Sequence, residues 1–212
     1  MAKETGPETQ QPFNLLGQPL LIVLSGPSGV GKDTVLTRLK ESGYSFEHII
    51  TVTTRPQRTS ERNNVDYHFI SAEKFQNMIS DGELLEWASV YGNWYGVPRE
   101  PVKQAMDKGH DVIVKTDVQG AASIKKTVPE AILIFLTPPS MKELDIRLKQ
   151  RHTESSFDLA LRKKIAGEEM KQLPLFDYIV VNKQGEVDLA VSDIKAIIKA
   201  EKCRVNFRRI AL

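Results

Sequence analysis

Residues 20–34 read LLIVLSGPSGVGKDT. Five apolar residues run into Gly26-Pro27-Ser28-Gly29-Val30-Gly31-Lys32, and helix-forming sequence follows from Asp33. This order predicts a buried strand ending in a G-x-x-x-x-G-K loop that opens a helix, the arrangement in which backbone N–H groups and one lysine surround a polyphosphate. The glycines let the backbone approach phosphate oxygens that a side chain would hold away. Lys32 adds a mobile point charge. The plain alternative is an ordinary strand–turn–helix connection, but the loop follows a strand pattern and precedes a helix pattern, the context that the phosphate reading requires.

Outward from that stretch, DVIVK (111–115), AILIFL (131–136) and YIVV (178–181) are rich in β-branched residues and read as strands. Helix-like stretches lie over 33–41, 119–127, 140–151 and 157–172. Strands alternating with helices predict an α/β fold with a three-layer parallel sheet covered on both faces. Residues 50–102 break this rhythm with short strand-like pieces, a helix-like stretch over 72–80 and the aromatic run Tyr91-Gly92-Asn93-Trp94-Tyr95-Gly96. They predict a small mixed α+β lobe inserted into the core. The expected organisation is a mobile leader over 1–17 and one domain over 18–212. Its core comprises 18–49, 103–139 and 159–212, with the lobe at 50–102 and a helical lid at 140–158.

The chain has 212 residues, 41% hydrophobic and 26% charged, which suits one soluble globular domain. No apolar run approaches the roughly 20 residues needed to cross a bilayer, and the start of the chain has no apolar signal region. A cytoplasmic enzyme is the expectation. One cysteine, Cys203, excludes an intrachain disulfide and a cysteine-built metal site. A net charge of +2 gives no argument for nucleic acid. Lys202, Arg204, Arg208 and Arg209 near the C-terminus read as a solvated end rather than a polyanion site.

Several further motifs stand in order along the chain: Thr53-Thr54-Arg55-Pro56-Gln57-Arg58, Asp66-Tyr67, Glu86-Trp87-Ala88, Tyr95-Gly96 and Asp117-Val118-Gln119-Gly120. Together with the phosphate loop they resemble guanylate kinase, over nearly all of 20–195. The resemblance implies transfer of a phosphoryl group from ATP to GMP with Mg2+, with no nucleic-acid or membrane partner. It implies that the inserted lobe binds GMP, with Arg55, Arg58, Tyr67 and Tyr95 on the phosphate and Thr51 and Asp117 around the base. Guanidinium forks suit phosphate oxygens, and phenol O–H groups add neutral donors.

Glu86 is assigned to guanine. Adjacent N1–H and N2–H donors can pair with two carboxylate oxygens, whereas adenine offers an acceptor at N1. A site built on such pairing rejects the wrong base strongly. The alternative is a solvated charge at a helix end beside a core tryptophan. The donor half comprises Gly26, Pro27, Ser28, Gly29, Val30, Gly31, Lys32, Asp33 and Thr34, and the resemblance adds Asn182 near adenine. Arg147 and Arg151 are four apart and share a helix face. With Arg162 they correspond to lid arginines that, with Lys32, stabilise the transferred group. The acceptor phosphate is already ionised, so no general base is required, and His48, His68, His110 and His152 read as structural or solvated.

Three positions depart from the family pattern. Asp33 stands where a hydroxyl residue usually follows the loop lysine, and Lys115 stands where an acidic residue usually ends the neighbouring strand. Two readings stand: a carboxylate–ammonium pair that keeps a negative centre near magnesium, with Asp33 reaching the metal through water, or two independent drifts. Val97 stands where a hydroxyl is common, predicting one lost contact to GMP. Two other readings remain: a related P-loop kinase acting on a phosphorylated sugar, which would not need Glu86, and a non-catalytic module that holds a phosphorylated peptide. Such modules generally lack an intact phosphate loop.

Overall fold

The computed structural model describes residues 18–59, 61–90, 92–150 and 156–212, with the backbone alone at 150 and 156–163. The leader, Tyr91, Arg151 and His152 lie outside the described residues, and the side chain of Arg162 is likewise outside them. In chain order the elements are β1 (Leu21–Ser25), α1 (Lys32–Glu41), β2 (Glu47–Ile49), β3 (Val52–Thr53), β4 (His68–Phe69), α2 (Ala72–Ser80), β5 (Leu84–Val90), β6 (Asn93–Pro98) and α3 (Arg99–Asp107). They continue with β7 (Val112–Lys115), α4 (Val118–Thr127), β8 (Ile132–Thr137), α5 (Met141–Gln150), α6 (Ser156–Lys171), β9 (Tyr178–Val181) and α7 (Val187–Lys202).

Strand β1 is buried at every residue because it lies at the centre of a parallel sheet ordered β2-β7-β1-β8-β9. Its side chains alternate between two cores, as the pleat requires. Ile22 and Leu24 meet Leu36 and Leu39 of α1 and Val191 and Ile194 of α7. Leu21 and Val23 meet Val102 and Met106 of α3 and Ala121 and Ile124 of α4. Two helices on each face give the three layers expected. A second sheet, ordered β4-β3-β6-β5, carries the mixed segment: β3 and β4 are parallel, whereas β6 is antiparallel to both β3 and β5.

Four strands and helices escaped the sequence reading, among them the seven-residue strand β5. Strand β2 is three residues long and includes a glutamate and a histidine, so only its pairing with β7 makes it a strand. Helix α3 holds Pro101 in its first turn, where a missing N–H costs little. Helix α7 is amphipathic, with Ala190, Val191, Ile194 and Ile198 buried at helical spacing.

The basic C-terminal segment is not simply solvated. Arg208 donates from Nε at 2.8 Å and Nη2 at 3.0 Å to Glu201, Lys202 pairs with Asp111 at 2.8 Å, and Ile210 and Leu212 pack against the core. Lys202 and Arg208 are thus used inside the molecule, whereas Arg204 and Arg209 are exposed as expected. No helix among the described residues is long and apolar enough to cross a membrane.

Candidate active site

The loop 26–31 leaves the C-terminal end of β1, between β7 and β8, where parallel sheets place ligand sites. Gly26 has φ 137, and a Cβ there would lie 2.1 Å from the Leu136 carbonyl oxygen of β8. Any other residue would push the loop off the sheet. Lys32 folds back onto the loop, its Nζ donating to Gly26 O at 2.5 Å and Pro27 O at 3.3 Å. Burial lowers its pKa, opposed by Glu169 and Asp33.

This loop forms one wall of a cavity of about 500 Å³ whose other walls come from the mixed sheet and the end of β7. Of the sequence-assigned residues, Pro27, Ser28, Gly29, Gly31, Lys32 and Asp33 line it from the loop side, and Thr51, Arg55, Arg58, Tyr67, Glu86, Tyr95 and Asp117 from the other. Two distant halves of the chain therefore share one cavity.

On the lobe side, Arg55 is fixed in place before any ligand arrives. Its Nε donates to Tyr95 Oη at 3.1 Å, and its Nη2 donates to both carboxylate oxygens of Glu61 at 2.8 and 3.0 Å. The guanidinium also lies over the Tyr67 ring, 5.5 Å from its centroid. Glu61 accepts the Arg58 N–H at 2.9 Å and stands 3.8 Å from the Arg58 guanidinium. Sequence reasoning missed Glu61 because its spacing carries no signal; its role comes from holding two arginines that would otherwise repel.

Glu86, Ala88 and Val90 line the cavity at strand period along β5. From Glu86 onward β5 alternates between its two faces, so that Glu86 is 5% exposed and Trp87 is 45% exposed. The alternative of an exposed charge beside a buried tryptophan is thus inverted. Thr116 Oγ1 reaches Glu86 Oε1 at 3.4 Å, and Glu86 Oε2 is buried without a hydrogen-bond partner. Burial, reinforced by the Asp117 charge, pushes the Glu86 pKa up to about 8. Asp117 caps α4 by accepting the Gly120 N–H at 2.8 Å. Gly120 leaves the space that Glu86 occupies, since a Cβ there would lie 2.0 Å from Thr116 Oγ1 and 2.7 Å from Glu86 Oε2.

Lys115 ends β7 at the junction of the two halves. Its ammonium pairs with Asp33 of α1 and stands 4.5 Å above the Tyr67 ring. The pairing predicted from the two departures is present. Thr51 Oγ1 donates to the Lys115 carbonyl at 3.3 Å, which ties β3 to β7 beneath the site.

Other assigned residues lie behind the loop. Arg147 donates from Nη1 to Val30 O at 3.1 Å and from Nη2 to Asn182 O at 2.7 Å, and it pairs with Glu143. Asn182 Nδ2 donates to Val30 O at 2.8 Å. Both side chains brace the loop from α5 and from the end of β9, and neither lines the cavity. Helix spacing identified the face that Arg147 shares, but not what that face meets. Val97 is fully buried among Leu85 and Val102, so a hydroxyl at this position would enter the core rather than the cavity.

Among the described residues no three His, Cys, Asp or Glu side chains group as a metal cage. The oxygen donors present, with Asp33 in the first turn of α1 at the cavity wall, suit a hard cation held mainly by phosphate and water.

Comparison with known proteins agrees with this geometry. The family model described as Guanylate kinase matches residues 18–201. A guanylate kinase from Enterococcus faecalis is 47% identical over 188 residues, covering 88% of this chain and 91% of that protein. Guanylate kinase 2, chloroplastic/mitochondrial, of Oryza sativa is 43% identical over 194 residues, covering 91% of this chain and 68% of that protein. The crystal structure of guanylate kinase from Anaplasma phagocytophilum superposes with a TM-score of 0.74 at 33% identity, covering 89% of each chain.

Proposed function

The chain belongs to the guanylate kinase family, enzymes that phosphorylate GMP, and from that premise we propose how its cavity holds the two nucleotides. GMP lies against the mixed sheet. Arg55 and Arg58 take its phosphate, with Tyr67 and Tyr95 as neutral donors, and Glu86 takes the N1–H and N2–H of guanine, with Thr51 and Asp117 beside the base. The phosphates of ATP lie in the loop from Gly26 to Thr34, where backbone N–H groups and Lys32 meet them.

The reaction asks for alignment and charge rather than covalent catalysis. An oxygen of the GMP phosphate attacks the γ-phosphorus of ATP and the β-phosphate leaves as part of ADP. The arginine cradle fixes the nucleophile and Lys32 neutralises the donor. Asp33 would hold Mg2+ through water, and the ion bound with ATP would supply positive charge to the phosphates. Arg147, Arg151 and Arg162 are the lid arginines of this proposal. Because Arg147 is engaged behind the loop, its contact with the transferred group requires residues 140–158 to move over the site, which also excludes water. Residues 50–102 act as the GMP lobe against the core.

The observation that carries the guanine reading is Glu86 Oε2, buried and unpartnered where Gly120 has left it room. A coupled assay offering GMP, AMP, UMP and a phosphorylated sugar as acceptors tests it. ATP consumption with GMP alone is expected, and equal turnover of AMP or of the sugar contradicts it.

A further inference from the structure

Glu169 takes no part in the mechanism above, yet its carboxylate lies inside the phosphate site. It projects from α6 and lines the nucleotide cavity opposite the lobe. The backbone of Ser28, one of the loop donors assigned to ATP, favours the ionised form of this carboxylate. Its Oε2 is buried without a hydrogen-bond partner. The Lys32 charge also favours the ionised form, whereas burial and the Asp117 charge oppose it and push its pKa up to about 7.

A ring of loop N–H groups around a buried ammonium is an anion site whether or not a nucleotide is present. Left empty, this site takes its negative charge from within the chain, and at Lys32 Glu169 contributes most, ahead of Asp33 and Asp117. The same contact becomes a conflict when a triphosphate arrives, because phosphate oxygens and the carboxylate compete for the Ser28 donor and repel one another across a few ångströms of low-dielectric space.

We propose that Glu169 is a positioning residue that sets donor affinity: it occupies the phosphate loop of the empty enzyme, and the phosphates of ATP must displace it. The inference rests on the reading that this loop holds the donor. Glu169→Gln keeps the shape and an acceptor for Ser28 while removing the competing charge.

Calorimetric titration of the full chain with adenosine, ADP, ATP and GMP tests this. In E169Q, ADP and ATP are expected to bind about five- to tenfold more tightly, with adenosine and GMP unchanged, because the competition is with phosphate alone. A merely structural contact would instead weaken every nucleotide or lower the melting temperature. Should E169Q fail to fold, Glu169→Asp withdraws the charge by one methylene and is expected to tighten ADP and ATP in the same order by a smaller factor. Unchanged or weaker ATP binding in a folded variant overturns the inference and leaves the donor reading intact. Wild-type protein that binds no ATP overturns the donor reading itself.

Discussion

Asp33 and Lys115 form an ion pair between the first turn of α1 and the last residue of β7, and the two partners are not equally placed: Lys115 is 6% exposed and Asp33 70%. Removing one partner is therefore a different experiment from removing the other. D33N leaves a buried ammonium without a counter-charge, with a neutral amide oxygen and Tyr67 for company, and a loss of about 2–3 kcal/mol in urea unfolding is expected. K115M leaves a solvated carboxylate, and its effect is expected to stay within about 1 kcal/mol. In the double variant the cost of D33N should largely vanish. Equal single effects that add in the double variant would mean that the pair contributes no coupling.

Gly120 gives the site its room, and an added methyl group tests that directly. G120A gains up to about 1 kcal/mol of helix propensity but drives Thr116 and Glu86 aside. A stable protein whose KM for GMP rises about 100-fold is expected, since displacement of a positioning group by an ångström has effects of that order. Unchanged steady-state kinetics with GMP would show that Glu86 does not need its present position.

The raised pKa of Glu86 gives GMP binding a pH dependence. With the free-site value at about 8, and with guanine accepted by the ionised form, the complex must hold that pKa lower. Binding then releases a proton below pH 8, and affinity falls as pH drops, by at most about tenfold per pH unit. Guanosine is the better probe, since it lacks a phosphate that ionises near about pH 6. Calorimetry in two buffers of different ionisation enthalpy measures the released proton; E86Q should show none.

The C-terminal anchor makes a separate prediction about acid stability. Hydrogen bonds from Arg208, together with Tyr178, hold the Glu201 pKa down at about 2, below the ordinary 4.5. A carboxylate with a depressed folded pKa contributes stability above its unfolded value, and this is lost as pH falls from about 4.5 through about 2. E201Q should be less stable than wild type at pH 7, and the difference should shrink steadily across that window. A difference independent of pH would place the effect in packing instead.

Much of this was legible in the sequence because local chemistry decided it. The glycines and lysine of 26–32 required a loop between strand and helix, and AILIFL could be little other than a buried strand. The separated arginine, tyrosine and glutamate motifs of 53–96 carried the acceptor site through their resemblance to the family. What stayed hidden arises only when elements meet. Strand β2 exists through its partner β7; Glu61 acquires a role from Arg55 and Arg58, and Glu169 from a loop more than a hundred residues earlier. Which of Glu86 and Trp87 faces inward follows from the side of β5 that meets the cavity, which the local sequence does not specify. The resemblance assigns Arg147 to the transferred group and Asn182 to the adenine side, whereas their shared grip on Val30 needed the packed fold.

The central claim is that one buried carboxylate selects the base. Calorimetric binding of GMP and AMP to wild type and to E86Q measures it most directly, and E86Q is expected to fold well because it removes a buried carboxylate with an unpartnered oxygen. The account predicts strong preference for GMP in wild type, and in E86Q a loss of about 2–3 kcal/mol for GMP with little change for AMP, so that the preference shrinks about 100-fold. A folded E86Q that retains the wild-type ratio of GMP to AMP affinity would contradict it.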